Sequence, residues 1–123
     1  MSDKINPYLY PGLKYTFINK FRKIFTEQEI LTIILDNFGL TFEMVSSKVR
    51  IRKFVDARIV ISYILRKKLG YTYTHIGRVL GHRHHTTVIY NEKKFVDLYL
   101  TDSGFRDISD VILSHVGLKP PTP

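Results

Sequence analysis

Residues 82–88 read His82-Arg83-His84-His85-Thr86-Thr87-Val88. Imidazoles, a guanidinium and two hydroxyls gather there with no carboxylate among them. Such groups exchange hydrogen bonds with base edges, and a threonine methyl can touch the C5-methyl of thymine. The three histidines also have the chemistry to ligate zinc or nickel. No cysteine or acidic residue in 78–90 completes a tetrahedral set, so no metal and no cofactor are expected. Nucleophilic catalysis finds no support either, because no serine stands with a histidine and an acid in a recognisable motif. Neither an enzyme nor a small-molecule substrate is expected.

The elements around this stretch decide what those groups can reach. Gly77-Arg78-Val79-Leu80-Gly81 ends a short helix and makes a glycine turn, and a second helix should run from about His84 to Leu100. That layout is a helix-turn-helix, in which the second helix enters the major groove with its N-terminal residues on base edges. His85, Thr86 and Thr87 are then the best base-edge candidates, His84 joins them as a base reader, and Arg83 belongs to the same DNA-binding set. Thr86 and Thr87 could instead serve only as helix caps. Thr72 or Thr74 caps the first motif helix, and either can add a phosphate or base contact.

The charge agrees with this reading. The chain carries +8 overall, and residues 46–94 hold Lys48, Arg50, Arg52, Lys53, Arg58, Arg66, Lys67, Lys68, Arg78, Arg83, Lys93 and Lys94 against only Asp56 and Glu92. A polyanionic partner follows from such a segment. On charge alone, structured RNA or an anionic surface fits as well as duplex DNA, and a basic interaction module of that kind is the alternative. Lys48, Arg50 and Arg52 sit in a basic connection over residues 47–53. Arg58 opens the helix that follows, where the dipole disfavours a cation. Its charge makes sense if DNA lies nearby, or if it pairs with Asp56.

At 123 residues with 44% hydrophobic content, one domain with a modest core is expected. There is no cysteine, which suits a reducing cytoplasm. No uncharged run reaches a membrane span, and Met1-Ser2-Asp3-Lys4 leads into no signal core, so a cytoplasmic, nucleoid-associated location is expected. Residues 1–25 read as an arm with Pro7, Pro11 and Gly12, then an amphipathic helix from Leu13 to Phe25. That helix should pack on the domain, or else lie on a membrane surface or partner. Thr26 and Glu29 form a capping box for a helix from residue 27, which Gly39 should stop. Thr41 caps a short helix. An apolar helix from about Phe54 to Leu69 is long enough to override its β-branched content, and it should be the buried centre. Ser103 or Asp102 starts a last helix carrying Phe105, Ile108, Ile112 and Val116, and residues 117–123 read as a disordered tail. The fold expected is all-α.

The segment over 26–116 resembles the C-terminal DNA-binding domain of the bacterial replication initiator DnaA. That family carries a signature close to Gly-Arg-Asp-His-Thr-Thr-Val, matched here by His82-Arg83-His84-His85-Thr86-Thr87-Val88. Lys48-Val49-Arg50-Ile51-Arg52, Arg58 and Ile61-Ser62-Tyr63-Ile64-Leu65-Arg66 look like its basic loop, its helix-opening arginine and its apolar run. The resemblance implies a small helical, Trp-repressor-like domain that binds double-stranded DNA as a monomer. It gives Arg50 the role of an arginine inserted in the minor groove, where narrow A·T-rich tracts concentrate negative potential. It also implies a part in replication initiation or transcription regulation, in a bacterium or phage. Two residues depart from the signature: His82 replaces its glycine and His84 its aspartate. The chain has no Gly-x-x-x-x-Gly-Lys-[Ser/Thr] loop, so a stand-alone module without ATPase activity is expected.

Overall fold

A computed structural model describes residues 25–122. Of the arm and lead-in helix expected over residues 1–25, all but Phe25 lies outside the described residues; Phe25 is buried in the core and is not helical. Among the described residues six helices follow one another: α1 (Glu27–Phe38), α2 (Phe42–Ser46), α3 (Arg52–Leu69), α4 (Tyr73–Val79), α5 (His85–Thr101) and α6 (Ser103–Val116). The described residues contain no strand, and the fold is all-α.

Local chemistry sets most of the boundaries. Thr26 caps α1 in a full capping box: its hydroxyl accepts from the Glu29 N–H, and the Glu29 carboxylate accepts from the Thr26 N–H at 2.9 Å. Thr41 and Thr72 cap α2 and α4 through their hydroxyls, and Asp102 caps α6 through Oδ1. Between the two threonines expected at α4, Thr72 is the cap, and Thr74 is left exposed within the first turn. Helices α1, α3 and α6 each stop at a glycine with positive φ, namely Gly39, Gly70 and Gly117. Beyond Gly117, Leu118 donates its N–H to Leu113 O at 3.0 Å and packs on the core.

The central helix is α3, as its apolar content requires. It begins at Arg52 rather than near Phe54, and Ala57 through Leu65 are buried without interruption. A helix apolar on every side must be covered on every side. α3 accordingly packs against all five other helices, most extensively α5 and α1. Ile30, Ile33 and Ile34 of α1, Val45 of α2, Ile76 of α4, and Ile112 and Leu113 of α6 complete the core. Each of these contributes roughly 1.5–3 kcal/mol by leaving water.

Three contacts fix how α5 is rotated. Phe95 stacks on Tyr63 with ring centroids 3.9 Å apart, and Phe105 meets Phe95 edge-on at 5.4 Å. The buried Asn91 donates from Nδ2 to Ser62 Oγ at 3.1 Å, and Ser62 donates on to Arg58 O at 2.8 Å. Val88, Asn91, Phe95 and Tyr99 therefore face inward. Thr86, Thr87 and Tyr90 are left on the outer side.

Candidate nucleic-acid interface

The turn between α4 and α5 is held by backbone approach. Arg83 donates its N–H to Gly77 O at 2.8 Å. A Cβ on Gly77 would lie 2.1 Å from Arg83 O, so only glycine admits this crossing. Gly81 takes φ 85 and faces Ser46 O, and His82 takes φ 64. His82 thus holds a left-handed position at which glycine is free of strain. The DnaA signature has glycine there.

Two arginines join this turn to the basic loop. Arg58 donates from Nε to Val45 O at 2.7 Å, and from Nη2 to Ser47 O and Val49 O at 2.8 Å each. Arg83 donates from Nη2 to the same Ser47 O at 2.6 Å, and from Nη1 to Leu80 O. Lys48 Nζ reaches Gly81 O at 3.5 Å. Arg58 is only 5% exposed. This corrects the expected placement: Arg58 lies in the second turn of α3, not at its start, and its guanidinium binds carbonyls rather than Asp56. Its three bonds tie the basic loop to α3. Arg83 is half-buried and closes the turn in the same manner.

With the loop held, Lys48 and Arg50 stand opposite Thr86, Thr87 and Tyr90 across a concavity of about 440 Å³, with Arg58 and Arg83 also in its lining. No carboxylate lines it. Burial pushes the Arg58 guanidinium down to about 10, with repulsion from Arg83 and Arg50 adding to the effect. Burial, then Arg50, also lowers Arg83. Arg58 therefore remains a cation near neutrality, and a lining of basic side chains without a carboxylate suits an anion.

A second concavity, of about 340 Å³, lies on the α4 side and is lined by Thr74, Arg78, His82, Arg83, His84 and His85. Residues at the start of α5 therefore line both hollows. Two candidates fall outside both. Thr72 is committed to its cap. Arg52 is 64% exposed in its side chain, yet Nε meets both Asp56 carboxylate oxygens at 3.0 Å, and Nη2 meets Asp102 Oδ2 at 2.8 Å. Its charge already has partners.

His84 is the N-cap of α5. Its Nδ1 accepts from the Thr86 N–H at 3.2 Å and lies 2.9 Å from Thr86 Oγ1. The imidazole does here what an aspartate does at an N-cap, and its ring rests on that of His85 at 4.3 Å. His84→Ala should lower stability by about 1 kcal/mol, and His84→Asp should restore it or exceed the parent, since a carboxylate also complements the helix dipole. Urea denaturation of both variants checks this. An alanine variant with the parent's midpoint would remove the cap from the account.

Tyr90, Arg78 and His82 were not singled out as contacts from sequence. Tyr90 had one available signal: it falls off the Val88–Asn91–Phe95 stripe and so must face outward.

A helix-turn-helix whose second helix opens beside a fixed basic loop defines the class of DNA-binding domains. Residues 28–95 match the family model described as the bacterial dnaA protein helix-turn-helix, and the chain belongs to that family. It is 35% identical over 100 residues to the chromosomal replication initiator protein DnaA of Nostoc sp., covering 78% of this chain and 22% of that protein. The DnaA of Chloroflexus aggregans is 34% identical over 88 residues, 72% of this chain and 18% of its own length. The DnaA of Ureaplasma parvum is 33% identical over 92 residues, 75% and 20% of the two chains. The chain thus spans about a fifth of the length of these relatives. The family is a helix-turn-helix DNA-binding domain. Among the described residues no helix is long and apolar enough to cross a membrane, and no group of histidine and acidic residues could hold a metal ion.

Proposed function

We propose that this chain binds a short duplex DNA site sequence-specifically, as a monomer and without hydrolysing ATP. It would regulate replication initiation, or transcription, by occupying sites of the kind that initiators recognise. The observation that carries the reading is the fixed pairing of the Lys48–Arg50 loop with Thr86 and Thr87 of α5 across a hollow without carboxylates. Such a pair suits one protein segment in the minor groove and one in the adjacent major groove. In this assignment Arg50 reads the minor groove. Thr86, Thr87 and His85 read major-groove edges, helped by Thr74. Lys48 binds phosphate, whereas Arg58 and Arg83 hold the loop and turn in register. Binding would place the protein on the nucleoid, with no small-molecule substrate.

Selection of bound sequences from a random duplex pool, with structured RNA and anionic vesicles as competitors, tests the reading. One enriched motif supports it; equal retention of all duplexes, or preference for RNA or vesicles, overturns it. On the enriched site, Arg50→Ala should weaken binding by roughly 1–3 kcal/mol and leave the urea midpoint unchanged, because the side chain is exposed and carries no core area. If about five phosphates are neutralised, log K should fall against log[salt] with a slope of roughly −4 to −5. Lys48→Ala should make that slope shallower by about one. Arg52→Ala should leave it nearly unchanged, given the partners that Arg52 already has. A flat salt dependence would take the basic loop off the nucleic acid.

A further inference from the structure

Tyr90 is 60% exposed, more than any other large apolar or aromatic side chain of the described residues. It stands on α5 one turn beyond Thr86 and Thr87, and it lines the concavity they share with Lys48 and Arg50. Among the described contacts, neither its ring nor its hydroxyl has a partner in the fold. A single exposed aromatic is ordinary on a protein surface; what singles out Tyr90 is its place in the lining of this concavity, in company with Lys48, Arg50, Thr86 and Thr87.

The geometry of a duplex says what would cover it. Resting on the reading above, α5 enters the major groove and the loop enters the adjacent minor groove. What separates the two grooves of a duplex is a single sugar–phosphate strand. A hollow between a major-groove helix and a minor-groove loop must therefore receive that strand. We propose that the concavity is a seat for one phosphodiester ridge, with Tyr90 as its floor-side anchor. The Tyr90 hydroxyl donates to a non-bridging phosphate oxygen and its ring packs on the adjoining deoxyribose. Lys48 shares the lining, and no carboxylate there opposes the phosphate's charge. Because phosphate and sugar carry no base identity, Tyr90 sets register and affinity but not the motif.

The test is a cycle on the site enriched by wild-type selection, in which each phosphate is replaced singly by an uncharged methylphosphonate. Tyr90→Phe should weaken binding by about three- to tenfold, the range for one lost hydrogen bond. The salt slope should stay the same, since a neutral donor releases no counterion. Tyr90→Ala should lose more, because the ring goes too. At one phosphate position, methylphosphonate and Tyr90→Phe should cost no more together than the modification alone. Urea midpoints of both variants should match the parent, as an exposed side chain predicts. Unchanged affinity of Tyr90→Phe, or additive losses at every position, would overturn the seat. Altered base preference in Tyr90→Ala would overturn it in favour of a base contact. Failure of wild type to enrich any duplex would defeat the broader reading instead, and the two failures are distinguishable.

Discussion

Gly77→Ala is expected to destabilise the domain by roughly 2–4 kcal/mol, from overpacking and the loss of one backbone hydrogen bond. The added Cβ would fall 2.1 Å from Arg83 O and 3.2 Å from Arg83 C. Both are backbone atoms, so no side chain can swing aside. The turn must retreat, and the 2.8 Å bond from the Arg83 N–H to Gly77 O goes with it. The start of α5 then shifts relative to α4, and the Arg83 tie to the basic loop loosens. DNA affinity should fall even at temperatures where the variant stays folded. Gly104→Ala is the matched control. Its Cβ would meet only Asp102 Oδ1, at an ordinary 3.5 Å, and it lies within α6. Helix propensity then favours alanine there, by less than the roughly 0.5–1 kcal/mol of a helix interior because Gly104 sits in the first turn. Urea midpoints should move in opposite directions for the two variants. A Gly77→Ala midpoint equal to the parent's would mean that α4 and α5 do not cross as closely as described.

How far the sequence spoke for itself depended on the range of the interactions concerned. Thr26 with Glu29, Thr41, and the glycines at 39 and 70 act on their own turns, so their helix ends were legible from local pattern. The uninterrupted apolar run of α3 identified the central helix, because no other element could bury it. The motif around Thr86 and Thr87 was legible for the same local reason. The arginines were not. Arg50, Arg52, Arg58 and Arg83 look alike as residue types, and they differ only in partners far away in sequence. Arg52 meets Asp102, fifty residues on, while Arg83 meets Ser47 O, thirty-six residues back. A basic segment read as one footprint therefore divides, in the fold, into exposed Lys48 and Arg50, paired Arg52, and buried Arg58. The capping by His84 is equally invisible in residue type, since an imidazole acts as an N-cap only when Nδ1 turns onto the Thr86 N–H.

That division can be measured most sharply at Arg58. Its three donated bonds, to Val45 O, Ser47 O and Val49 O, close the chain between α2 and α3. Arg58→Met keeps the apolar stem and removes every donor, leaving those carbonyls to find water in a partly buried setting. Hydrogen bonds to a charged group are worth about 1.5–3 kcal/mol each in favourable cases. Against this stand the desolvation of the cation and its repulsion from Arg83 and Arg50, both relieved in the variant. The net expected loss is roughly 2–4 kcal/mol. Arg58→Lys should recover little of it, since an ammonium is a point donor without the planar fork that spans three carbonyls. The binding data then separate a positioning residue from a phosphate contact. A phosphate-binding arginine, once removed, makes the salt slope shallower by about one and leaves stability alone. Arg58→Met, studied where it remains folded, should instead keep the parent slope while affinity falls, because Lys48 and Arg50 are still present but must be ordered on binding. Its losses should also be strongly non-additive with Arg50→Ala, as the loop that presents Arg50 is the one Arg58 holds. An Arg58→Met variant with parental stability and a shallower slope would return Arg58 to the DNA and leave the loop to be held by Arg83 and Lys48 alone.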